Sequence, residues 1–131
     1  MIDCENEVYT RLAKVLREKF PGINVAGEYV KAPSSFPHVS ITQSDNSVVA
    51  EKMTGTAEMA LVMFEINIYS NKAEGKKTEC KAIAKVIDEN LFRMNFKRLA
   101  LTPVPNLEDA SIYRIVTRYR AMTDGQYFYR R

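Results

Sequence analysis

The residues that most often do chemistry are sparse here: one histidine, His38, two cysteines, Cys4 and Cys80, and five glycines. A lone imidazole offers no second imidazole to share a metal, and His38 follows Pro37 at the entrance to an alternating stretch. It is therefore read as a surface or cap residue. Neither cysteine has a histidine or a second cysteine nearby in sequence, so no redox or zinc-type pair is spelled out. Two isolated cysteines fit reduced thiols in a cytosolic setting. The glycines, at positions 22, 27, 55, 75 and 125, are scattered, so no phosphate-cradling loop exists. The 16 carboxylates could meet as a catalytic pair only in space, which spacing does not reveal. A small carboxylate enzyme thus stays open as the weakest option. The reading is a non-enzyme with no catalytic residue, no metal and no cofactor.

Two other patterns could carry function. Arg114, Arg118 and Arg120 fall on one side of an alternating stretch, with Arg130 and Arg131 at the end, and Tyr113, Tyr119, Tyr127 and Tyr129 interleave them. Guanidinium groups on phosphates and rings under bases would make this a nucleic-acid surface. The plainer reading, which is preferred, is a solvated sheet face with cross-strand ion pairs to Glu65 or its neighbours. The second pattern is Met59, Leu61 and Met63, apolar where a half-buried strand should turn a polar side to water. Either the chain covers them itself, or they meet a partner subunit, a contact to which Val48, Val49 and Met53 would add. Methionine suits such a surface because it is flexible and polarizable.

The elements that must hold these residues follow from periodicity. Ala60, Val62, Phe64, Ile66 and Ile68 alternate with Glu65, Asn67 and Tyr69, a strand packed on a core. After Asn71 the period changes: Cys80, Ile83, Ala84, Ile87 and Leu91 line one face of a helix over 72–92, where Cys80 is simply a small core hydrophobe. Asn71 with Glu74 imitates a capping box at its start. The lysines of this helix, Lys76, Lys77, Lys81 and Lys85, are balanced by Glu79, Asp88 and Glu89. A first helix over 3–19 has Asp3 as cap and Val8, Leu12, Val15 and Leu16 as its stripe, and Phe20-Pro21-Gly22 stops it. A short strand runs from Ile23 to about Val30, a loop from Lys31 to Pro37, and a second strand holds Val39 and Ile41 until Ser44-Asp45-Asn46-Ser47 breaks it. Val48 to Glu58 reads as a hairpin arm, poorly ordered until assembly. Phe96, Leu99 and Leu101 suggest a strand confined to an edge by Pro103 and Pro105. Ala110 to Ala121 is a long last strand, and Asp124-Gly125 turns a terminal hairpin.

The order α, β, β, β, α, β, β predicts an α+β fold: a mixed, mainly antiparallel sheet with two helices packed on one face, residues 1–131 forming one domain. The length of 131 residues supports one real core, and a net charge of +3 is too small to imply nucleic-acid binding alone. No apolar run approaches the roughly 20 residues that span a bilayer. The acidic, amphipathic start is not that of a signal peptide.

The run FEINIYSNKAEGKKTECKAIAKVIDENLF, followed by FKRLALTPVPNLEDASIYRIVTRYR, resembles the small tail-completion proteins of long-tailed bacteriophages and prophages, similar to lambda-type tail terminators and head–tail joining proteins. The likeness lies in the strand ending Tyr69-Ser70-Asn71 and the lysine-rich helix. It continues in Pro105-Asn106 before Glu108-Asp109, in the Tyr113-Arg114 strand, and in the placement of the first helix and Pro37-His38-Val39. The resemblance implies a cofactor-free structural subunit that closes a ring, commonly a hexamer, on the head-proximal end of the tail tube. Its partners would be other copies of itself, the tail tube protein and the head connector, with DNA only as passing cargo. It would assemble in the bacterial cytoplasm and end in the neck or tail of the virion. Met59, Leu61, Met63, Val48, Val49 and Met53 would then be the subunit contact, and Arg114, Arg118 and Arg120 its rim or channel. The rival reading remains a small nucleic-acid-binding module using the Arg/Tyr strand.

Overall fold

The computed structural model describes residues 1–51, 58–105 and 109–130. Among these, helix α1 (Glu5–Lys19) leads to β1 (Asn24–Ala26), β2 (His38–Glu51) and β3 (Glu58–Ser70). Helix α2 (Lys76–Arg93), β4 (Lys97–Pro103), β5 (Tyr113–Thr123) and β6 (Phe128–Tyr129) complete the chain. The strands form one sheet in the order β1-β2-β3-β5-β4, with β6 also paired to β5. Only β1 and β2 run parallel; the other pairs are antiparallel. This is the α+β arrangement expected from the sequence.

Both helices cover one face, called here the inner face. Val8, Leu12 and Leu16 of α1 share a buried core with Val39 and Ile41 of β2 and with Val62, Phe64, Ile66 and Ile68 of β3. Cys80, Ile83, Ile87 and Leu91 of α2 complete it, and all four are fully buried. Burial pushes the Cys80 thiol up to about 12 and the Cys4 thiol up to about 11, so both are held as neutral, inert thiols at neutral pH. Phe96, just past α2, packs edge-on against Phe64 with ring centroids 5.7 Å apart.

Several boundaries differ from expectation, each for a local reason. No Asn71 cap starts α2. Gly75, at φ +86°, turns the chain into the helix at Lys76, and the Glu79 carboxylate accepts a hydrogen bond from Ser70 Oγ at 2.7 Å. Ser44-Asp45-Asn46-Ser47 does not break β2. A bulge between Gln43 and Asp45 takes up one extra residue, and the polar groups find partners outside the ladder. Gln43 N–H donates to Glu5 Oε2 at 3.0 Å, Asn46 Nδ2 donates to the Ile2 carbonyl at 2.8 Å, and Asp45 Oδ1 accepts from Asn46 N–H and Ser47 Oγ. The first strand is shorter than expected, ending at Ala26. The last runs two residues further, to Thr123, before Asp124-Gly125 turns into β6. The hairpin arm begins as expected, with Val48 opposite Ala60 and Glu51 opposite Glu58. Its middle, including Met53, lies outside the described residues.

At the far edge, β4 is exposed at six of its seven positions, Ala100 being the half-buried exception. A bulge falls between Arg98 and Ala100, and Pro103 ends the strand. Among the described residues no helix is long and apolar enough to cross a membrane.

Candidate subunit-contact face

The second face of the sheet, the outer one, carries the residues singled out by sequence. Register places Met59, Leu61, Met63, Glu65, Asn67 and Tyr69 of β3 beside Met122, Arg120, Arg118, Val116 and Arg114 of β5. It also places Ser47, Asp45, Thr42, Ser40 and His38 of β2 on the other flank. The face divides in two along β3.

The first half carries an apolar row, flanked by Ser47, Asp45 and Arg120. Met59, Leu61, Met63 and Met122 are all half-buried, although they lie in a sheet whose inner residues Ala60, Val62 and Phe64 are fully buried. Tyr129, opposite Met122, extends the patch and is exposed. Sequence reading missed their part in this patch, because Met122 comes beside Leu61 only through the β3–β5 register and Tyr129 beside Met122 only through the β5–β6 register. Val48 and Val49 stand apart from this row. The first bulge of β2 shifts its parity, so Val48 pairs with inner-facing Ala60, and Val49 lies in the second bulge. Both are open to solvent, at 55% and 45% exposure, beyond the cover of the helices.

The second half is polar and covered. Asn67 and Ser40 are fully buried, and Tyr69 and His38 nearly so. The expectation of a surface or cap role for His38 is overturned. Opening β2 between β1 and β3, it sits against Asn24, whose side-chain amide lies 2.9 Å from Nδ1, and its ring tilts on that of Tyr69 at 5.8 Å. Burial lowers its pKa from the ordinary 6.5, keeping the ring neutral.

The arginine stripe is largely engaged within the fold. Arg118 donates from Nη2 and Nε to Glu65 Oε1 at 2.9 and 3.1 Å, the cross-strand pair anticipated from sequence. Arg114 donates from Nε and Nη2 to Asn67 Oδ1 at 3.1 and 2.7 Å, and its guanidinium faces the rings of Tyr69 and Tyr29. Arg120 is half-buried between Met63 and Lys97 on the neighbouring strands. Arg130 reaches back to the Phe96 and Phe92 carbonyls, pinning the terminal hairpin to the end of α2. Among the described residues no group of three or more histidine, cysteine, aspartate or glutamate side chains could hold a metal ion.

No protein-family model matches the sequence, and no curated protein matches it. Among solved structures the fold is similar to a chain in the virion of a native gene transfer agent (GTA) particle. The two share 21% identity and superpose with a TM-score of 0.68 over 92% of this chain and 94% of that one. The likeness is one of fold, and it extends over nearly the whole of both chains.

Proposed function

We propose that this chain is a non-enzymatic structural subunit of a phage-like particle, and that it works at the head–tail junction as a ring that ends the tail tube and meets the head. The observation that carries the reading is the likeness in fold, end to end, to a chain of a virion. The resemblance of the strand–helix–strand sequence to tail-completion proteins supports the same assignment. The apolar half of the outer face supports self-assembly, since monomers rarely leave a contiguous apolar patch in water.

In this reading Met59, Leu61, Met63 and Met122 form the core of a contact between copies, and the Glu65–Arg118 pair lies on its rim. Val48 and Val49 meet a neighbour through the other side of the β2–β3 hairpin. A heterologous contact of this kind closes into a ring when its rotation closes. Light scattering of the purified protein, followed by electron microscopy, is expected to find a closed oligomer. Leu61→Asp is expected to leave the subunit folded and release it as a monomer, because it places an unpaired charge in the contact. A strictly monomeric wild-type protein that binds DNA with steep salt dependence would instead favour the nucleic-acid reading.

A further inference from the structure

The covered half of the outer face contains an unusual deficit. Asn24, His38, Tyr69 and Arg114 stand opposite one another across β1, β2, β3 and β5, and Ser40, Asn67 and Val116 form the next row. With the Asn24 amide donating to Nδ1 of His38, the ring proton sits on Nε2, which becomes a donor. Asn67 Oδ1 is occupied by Arg114, so Nδ2 is left to donate. His38 Nε2, Ser40 Oγ and Asn67 Nδ2 are nevertheless buried with no hydrogen-bond partner among the described residues. The Tyr69 hydroxyl lies near Tyr29 without a bond of normal geometry.

Against the Asn67 side chain, at one end of this group, sits a cation. Arg114 is half-buried, faces two tyrosine rings, and makes no ion pair with a carboxylate among the described residues. Buried donors left unmade next to a guanidinium without a counter-charge are costly, and both deficits have one remedy. An ordered water would satisfy the donors but not the charge.

We propose that this row is a binding site for a small oxyanion, a single carboxylate or phosphoryl group. Arg114 supplies the charge, while His38 Nε2, Ser40 Oγ and Asn67 Nδ2 line the floor. Tyr29, half exposed over Arg114, is the cover that an incoming group displaces. The site does not depend on the ring reading, since its residues lie in the other half of the face.

His38 is the only histidine, so its imidazole nitrogen signals can be assigned without mutagenesis. The intact chain is titrated with sodium acetate and, separately, with inorganic phosphate, at ionic strength held constant with sodium chloride. The expected result is a saturable shift of the His38 Nε2 resonance, with a rise in melting temperature that sets in over the same concentration range and then continues logarithmically. Both should be lost in Arg114→Gln. Saturation at lower acetate than phosphate concentration assigns a carboxylate; the reverse order assigns a phosphoryl group. If Arg114→Gln does not fold, Ser40→Ala removes one floor donor and is expected to raise the midpoint. No saturable shift with either anion overturns the proposal, as does a response undiminished in Arg114→Gln or, where that variant fails to fold, in Ser40→Ala.

Discussion

The two halves of the outer face invert the usual relation between polarity and burial. At Leu61 the strand carries an apolar row that is only half-buried; at Asn67, further along the same strand, polar side chains are fully buried. Apolar groups in water and polar groups out of it are both unfavourable for an isolated subunit. On the two proposals made above, the halves would take different complements: an apolar surface for one, an acceptor for the other.

The sharpest test of this contrast sets Ile66→Ala against Leu61→Ala. The two side chains are isomeric and lie on one strand, but Ile66 is fully buried on the inner face. Ile66→Ala is expected to cost about 2–5 kcal/mol in chemical denaturation. Leu61→Ala should cost about 1 kcal/mol or less in the dissociated subunit. Equal costs would make the apolar half ordinary core. In the polar half, Asn67→Ala leaves the Arg114 guanidinium without its acceptor, and about 1–3 kcal/mol of destabilisation is expected by the same measurement.

A smaller effect comes from pH. The folded pKa of His38 lies below the ordinary 6.5, so in the window just under 6.5 the unfolded chain binds a proton that the folded one refuses. Stability is therefore fully present above that window and falls as pH drops through it. His38→Gln should flatten this dependence in melting curves taken above the carboxylate range, and an unchanged slope would show that the imidazole is not the group responsible. The smallest effect is expected at the Glu65–Arg118 pair, where Arg118 is 53% exposed. Glu65→Gln should change stability by no more than about 0.5 kcal/mol, less still in high salt.

The elements with strong periodicity were legible in the sequence. The alternation of β3, the stripe of α2, the first helix and the Asp124-Gly125 hairpin all depend on neighbours close in the chain. The residues misread were those whose environment comes from distant strands. Ser44 to Ser47 look like a break until the segment before α1 offers the Ile2 carbonyl to Asn46, and Glu5 at the start of α1 takes the neighbouring Gln43 N–H. His38 looks like a cap until β1 and β3 enclose it. The apolar row at Met59, Leu61 and Met63 was visible as a departure from alternation, but Met122 joined it only through register. The donor-rich row had no local signal at all, since Asn24, His38, Tyr69 and Arg114 come from four different strands.

The exposed strand β4 sets a limit on how this molecule can grow crowded. A free strand edge invites another strand to continue the ladder, the geometry by which native subunits drift into fibres. Here Lys97 and Arg98 open the strand with charge, the bulge before Ala100 breaks the even spacing of amides, and Pro103 closes it with a nitrogen that cannot donate. An incoming strand would find no more than a few consecutive positions in register. Pairing of a further strand on the β4 edge is thereby disfavoured.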